Sequence, residues 1–230
     1  MPAKGDRGPL VRAWQRIVGV SARACDGVFG DATEASVRAW QIAHAIEPDG
    51  VISPLCRTAV DPGGIVKAYE GLRLRTYDDH DGQPLAFAAG VWRRQDGAAC
   101  IGYPTIGWGK RIWPTDGALE TCTREQADQW FADMLSKTFA PVVIRWAPRE
   151  ADAAQIAALM SFAYNAGAAE KVRVGTPAEG PGPIPALAGA GFEFNWWTNH
   201  YVTTKGVQNA GLVMRRLEEA CLFWDDVRPF

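Results

Sequence analysis

The chain has 230 residues, 47% of them apolar and 22% charged, with a formal net charge of -2. That balance supplies a buried core, excludes a disordered chain, and lacks the strongly basic footprint of a general nucleic-acid binder. No apolar run is long enough to span a membrane, and Met1-Pro2-Ala3-Lys4-Gly5-Asp6 has no apolar stretch of the signal-peptide kind.

The first sixty residues contain an internal echo. Val11-Arg12-Ala13-Trp14-Gln15 recurs as Val37-Arg38-Ala39-Trp40-Gln41, and Asp26-Gly27-Val28-Phe29-Gly30 is echoed by Asp49-Gly50-Val51-Ile52-Ser53. Each Asp-Gly opens a turn, since Gly accepts positive φ at no steric cost. Asp31 and Ser53 are placed to cap the helices that follow, and Pro54 suits a first helical position. Leu10, Trp14, Ile17 and Val18 recur at helical spacing, and the segment is expected to be three short helices with Trp14 and Trp40 as structural residues.

Asp61-Pro62-Gly63-Gly64 is expected as a short linker, followed by a helix from Ile65 to about Glu70. Leu72 to Asp79 alternates as a strand, with Leu72, Leu74 and Thr76 on one face, and Tyr103 to Trp108 is a second strand. Beyond Asp116-Gly117 the chain reads as helical. Thr121 or Thr123 caps Arg124–Phe139, a buried helix covers Arg149–Tyr164, and a last one covers Leu212–Trp224. Residues 174–191, rich in Pro, Gly and Ala, are expected as a loop. The five scattered cysteines form no C-x-x-C pair and have no His at ligand spacing. Free thiols are the expectation, with a Cys25–Cys56 bridge as the alternative, and with no metal site and no cofactor.

Glu70 and Asp79 stand out against this background. A glycosidic bond is usually cleaved by two carboxyl groups, one protonating the leaving oxygen and the other activating water, attacking, or stabilising charge at the sugar carbon. The ten Trp residues fit core packing for the most part, and exposed ones can stack on sugar rings.

Residues 5 to 60 resemble the peptidoglycan-binding type 1 module, whose D-G-x-F-G-x-x-T pattern matches Asp26 to Thr33; the second copy departs from it at Ser53 and Cys56. Residues 65 to 230 resemble the phage-type lysozyme family (glycoside hydrolase family 24). The carriers are Glu70-Gly71-Leu72-Arg73 through Tyr77 to Asp79, then Thr105-Ile106-Gly107-Trp108-Gly109. Further on come Ser161-Phe162-Ala163-Tyr164-Asn165-Ala166-Gly167 and Gly211-Leu212-Val213-Met214-Arg215-Arg216-Leu217-Glu218-Glu219.

The resemblance implies a mainly α, lysozyme-like α+β protein: a three-helix module over 1–61, then a helical catalytic domain over 62–230 with a small β-hairpin region. It implies an endolysin muramidase cutting the β-1,4 bond between N-acetylmuramic acid and N-acetylglucosamine, with a lytic transglycosylase or a non-catalytic wall-binding protein as alternatives. Glu70 would be the general acid, Asp79 the second carboxylate and Thr105 the water-positioning hydroxyl. Arg215 would lie near the acid, with Tyr164 and Asn165 contacting sugar. The implied partner is peptidoglycan, met by a monomer that neither binds nucleic acid nor inserts into membranes. It would wait in the host cytoplasm until a holin gives access to the periplasm.

Two departures from the family pattern follow. Residues 80–104, carrying Phe87, Trp92, Arg93 and Arg94, form a large insertion that either extends the cleft or packs passively. It leaves Asp78 and Asp81 as rivals to Asp79. Lys110 replaces the usual His after the Thr-Ile-Gly-x-Gly string, a change expected to touch stability more than chemistry.

Overall fold

The computed structural model describes residues 1–167, 197–199, 201–204 and 206–225; the loop expected over 174–191 lies outside them. The chain forms two compact units, one of Met1–Ala68 with Thr138–Phe230 and one of Tyr69–Lys137. Among the described residues no helix is long and apolar enough to cross a membrane.

In the first unit the sequence echo becomes a structural repeat. Helix α1 (Pro9–Ile17) ends its role in Gln15, and α2 (Asp31–Ala43) carries Gln41 at the matching place. The Gln15 amide nitrogen donates to Asp26 Oδ1 (2.9 Å), the Val28 carbonyl (3.1 Å) and Thr33 Oγ1 (3.0 Å), while its oxygen accepts from the Gly27 N–H (2.9 Å). Gln41 does the same to Asp49 Oδ1 (2.8 Å), the Val51 carbonyl (2.9 Å) and the Gly50 N–H (2.9 Å). Cys56, in place of the Thr, takes the remaining contact at 3.6 Å. Each buried amide thus satisfies an Asp-Gly turn that would otherwise hold unpaired backbone groups. Gln15→Ala should therefore destabilise the fold by about 2–3 kcal/mol, to be read from urea unfolding, with an exposed control such as Arg23→Ala near zero.

Ser53 caps α3 (Pro54–Thr58) as expected, accepting from the Cys56 N–H. Asp31 does not cap α2: Gly30 holds that position, and Asp31 is the first helical residue, its carboxylate paired with Lys4. The linker expected at 62–64 is also absent. Helix α4 runs Pro62–Tyr69, with Pro at its first position and Asp61 Oδ1 accepting from the Gly63 N–H (2.9 Å), so the cap outweighs two poor helix formers.

Helix α6 (Ala140–Trp146) follows a π-turn at Leu135–Phe139, which ends the helix expected over Arg124–Phe139 at Met134. Pro141 supplies no N–H to the preceding turn, which is the local reason for the break. Helix α7 (Ala153–Ala166) is capped by Asp152, and α8 (Ala210–Trp224) by Asn209. Trp14, Ile65, Phe162 and Leu222 are fully buried in this unit. Its N-terminal helices are joined to α7 and α8 by buried charge. Glu218 takes Arg12 (3.0 Å) and Arg16 (2.6 Å), and Arg57 donates to Asp152 (2.7 Å) and to the Leu222 carbonyl (3.0 Å).

The second unit is built on a three-stranded antiparallel sheet of β1 (Arg73–Asp78), β4 (Pro104–Gly107) and β5 (Lys110–Arg111), in the order β1-β4-β5. Arg73 pairs with Gly107 and Tyr77 with Thr105, with a register break between. In that break the chain pairs elsewhere: the Thr76 N–H donates to the Glu120 carbonyl (2.9 Å) and the Cys122 N–H to that of Leu74 (3.0 Å). A bulge reorients side chains, so Leu74 is 41% exposed while Thr76 is buried, and the strict alternation expected for this strand fails.

Helix α5 (Arg124–Met134), capped by Thr123 with Gln126 in a capping box, lies against β4. Trp108 fastens them through its indole N–H to Asp128 (2.8 Å). Gly107 has φ +68, and a Cβ there would sit 3.1 Å from that of Ala127; both conditions require Gly. Between β1 and β4 the insertion forms a hairpin, β2 (Leu85–Ala88) with β3 (Val91–Arg94), whose Phe87 and Trp92 rings pair edge-to-face across the strands. Its two-residue turn, Ala89-Gly90, has positive φ at both positions, the twist that tight hairpins favour.

Candidate active site

Three adjacent residues at the end of β1 have different fates. Asp78 is fully buried. Its Oδ2 accepts from Arg94 (2.8 Å) and the Ile101 N–H (2.8 Å), and its Oδ1 from the N–H groups of His80 (3.0 Å) and Gly102 (2.9 Å). Burial opposes its ionisation, but these donors prevail and hold the carboxyl far below the usual carboxylate range. Arg94 also takes Asp81 Oδ2 at 2.8 Å. Both rivals to Asp79 are thus tied to one guanidinium, and Arg94 is taken up by the neck of the insertion. Burial and the nearby Asp78 charge push the Cys100 thiol, which donates to the Gly102 carbonyl, up to about 11.

Asp79, one residue further, is exposed. Its Oδ1 accepts from the Tyr103 N–H (2.7 Å), and its own N–H donates to the Tyr103 carbonyl (3.1 Å). The insertion therefore leaves β1 and returns to β4 at a point where the chain is closed by paired bonds. Gly102 is packed so tightly there that a Cβ would overlap the Asp79 carboxylate and lie 2.8 Å from that of Asp78. Thr105, buried, donates to the same Tyr103 carbonyl at 3.1 Å.

Tyr77 is the cross-strand partner of Thr105, so their side chains share a face of the sheet. Burial pushes the Tyr77 phenol up and the nearby Arg73 pulls it down, while the negative charges of Glu70 and Asp79 both add to the rise. Tyr77 therefore lies in the field of both acids. Glu70 itself is half-buried, directly after the last residue of α4. Glu70, Asp79 and Thr105 all belong to the Tyr69–Lys137 unit.

Tyr164, Asn165 and Arg215 belong to the other unit. Tyr164 packs on Phe139 with ring centroids 5.1 Å apart, and Asn165, exposed at the end of α7, accepts from Arg216 (3.0 Å). Arg215 is buried and donates to Ser161 Oγ (3.2 Å) and Glu219 (3.1 Å). Lys110 reaches Asp116 (2.9 Å) and lies over the Trp130 ring. Tyr77 and Gly102 are not legible from the sequence as residues that shape the site, because their importance lies in contacts across strands rather than in spacing. Among the described residues no group of His, Cys, Asp and Glu is arranged to hold a metal ion.

The family model described as "Phage lysozyme" matches residues 67–219, and the one described as "Putative peptidoglycan binding domain" matches residues 11–60. The chain belongs to the phage lysozyme family: it is a peptidoglycan-cleaving endolysin, a lysozyme with an N-terminal peptidoglycan-binding domain. Among solved structures it is similar to the endolysin from Escherichia coli O157:H7 phage FAHEc1 (26% identity, TM-score 0.45, covering 74% of this chain and 94% of that one). It is also similar to the active form of the P1 phage endolysin Lyz (20% identity, TM-score 0.46, 72% of this chain and 84% of that one). No curated protein matches the chain.

Proposed function

We propose that Glu70 and Asp79 are the two carboxyl groups with which this lysozyme hydrolyses the bond between N-acetylmuramic acid and N-acetylglucosamine. The observation that carries this is the contrast at the end of β1: Asp78 is sealed beneath the insertion, while Asp79 stays exposed and shares the environment of Tyr77 with Glu70. Glu70 protonates the departing glycosidic oxygen. Asp79, held by the Tyr103 N–H, receives the proton of the attacking water, and Thr105 orients that water from the same face as Tyr77. The outcome in this reading is inversion. In this reading Arg215, Tyr164 and Asn165 are substrate-binding residues, residues 1–61 hold the wall, and residues 62–230 cut it.

The same reading keeps the chain in the host cytoplasm until a holin opens the membrane, and has it work as a monomer in the periplasm. Digestion of purified peptidoglycan in ¹⁸O-water tests the chemistry. Labelled reducing ends are expected in mass spectra, and products carrying only 1,6-anhydro ends would replace hydrolysis with a transglycosylase reaction. Asp79→Asn should be folded and nearly inactive; full activity in that variant would remove Asp79 from the mechanism.

A further inference from the structure

The face of the sheet that carries Thr105 does not end at Thr105. On one side its cross-strand partner is Tyr77, and on the other it is Arg111 of β5; directly opposed residues in antiparallel strands project to the same side. The Arg111 guanidinium lies 3.4 Å over the ring centroid of Tyr103 and 5.6 Å from that of Trp113. Tyr103 is 50% and Trp113 55% exposed, so two large rings lie beside one cation at the surface. The group is also preorganised. Tyr103 is pinned by its two backbone bonds with Asp79. The Trp113 N–H donates to Asp116 (2.8 Å), which is in turn held by Lys110.

We infer that Tyr103, Arg111 and Trp113 form a subsite for the glycan strand beside the cleavage point, stacking an N-acetylated amino sugar on aromatic rings and pairing Arg111 with a carboxylate of its peptide stem. The occupant follows from continuity and charge. The backbone N–H of Tyr103 grips the Asp79 carboxylate, so the polymer engaged at Asp79 continues past the Tyr103 ring. Sugar rings present an apolar C–H face to an aromatic surface, and a guanidinium beside them is suited to a carboxylate. Rings set out in water beside a pinned cation would be poorly placed in a core, and a wall polymer carries both complementary features. The inference rests on the assignment of Asp79 made above.

Steady-state cleavage of soluble, uncrosslinked glycan strands tests it, using the full chain. Trp113→Ala should raise KM about tenfold with little change in kcat, because it removes contacts made equally to bound substrate and transition state. Trp113→Phe should restore most of the loss. Arg111→Ala should weaken strands bearing peptide stems and leave strands stripped of peptide unaffected. Unchanged KM in Trp113→Ala and Arg111→Ala would overturn the subsite, as would a change confined to self-association in sedimentation. Asp79→Asn, run in parallel, separates the two ideas. Its retained activity would overturn the catalytic assignment, whereas its inactivity with unchanged KM in the Trp113 and Arg111 variants would overturn the subsite alone.

Discussion

Glu70→Gln should lower the rate of cell-wall clearing by a factor of about 10²–10⁴, the span that a general acid contributes, while leaving the protein folded and able to sediment with walls. The glycosidic oxygen is a poor leaving group until it is protonated, and an amide at this position keeps size and polarity but has no acidic proton to deliver. Loss of turnover without loss of wall binding is the outcome that marks a proton donor. It fits the two family matches, since residue 70 lies outside the 11–60 segment matched by the peptidoglycan-binding model. Turbidity loss in purified walls, scored beside far-ultraviolet circular dichroism and a pelleting assay, checks it. A Glu70→Gln enzyme within a few-fold of wild type would place the proton donor elsewhere.

The second large effect is expected at Asp78. Asp78→Asn should destabilise the protein by about 3–5 kcal/mol, the cost of leaving one partner of a buried ion pair uncompensated. The Asn amide would turn an N–H₂ toward donors that now point at Oδ1 or Oδ2: Arg94 and the N–H groups of His80, Ile101 and Gly102. The pH dependence has a definite sign. The folded carboxyl titrates below its unfolded value of about 3.9, so its stabilising contribution is complete above that value. It declines as pH falls from about 4 toward the lower, folded value. Wild type and Asp78→Asn should therefore differ by a constant amount above about pH 5 and converge in acid, as seen in urea midpoints measured along a pH series. A gap that widens on acidification would contradict the assignment. Gly102→Ala should damage the same knot sterically, because its Cβ would overlap the Asp79 carboxylate, and this loss should persist in acid.

These two residues illustrate how far the sequence reaches. Glu70 is legible because its neighbours Gly71, Leu72 and Arg73 and the later Thr105-Ile106-Gly107 string form an ordered set, and the family match over 67–219 includes them all. Asp78 and Asp79 are indistinguishable by type and adjacent in position, so spacing alone leaves them as rivals. Their separation depends on the return of the chain at Ile101, Gly102 and Tyr103, more than twenty residues later. Arg94 shows the same limit. In the sequence it is one of two adjacent arginines beside a Trp and suggests a glycan contact; in the fold it is an internal clamp on Asp78 and Asp81.

The sequence by itself determined the local and compositional features. These include the Asp-Gly turns, the helix starts at Ser53 and Thr123, where short-range donors and acceptors meet, and the repeated Trp-Gln words. Such features depend on residues within a few positions of one another, or on family motifs that survive as strings. Only the tertiary structure decided what required distant partners. It set Gln15 and Gln41 as keystones of their turns, sent Leu74 outward through a break in register, turned residues 80–104 into a hairpin closed by Asp78, and put the Tyr103 and Trp113 rings beside Arg111. The physical reason is common to all four: a buried polar group or a strand register is settled by which atoms it meets across the fold, and sequence spacing does not encode those meetings.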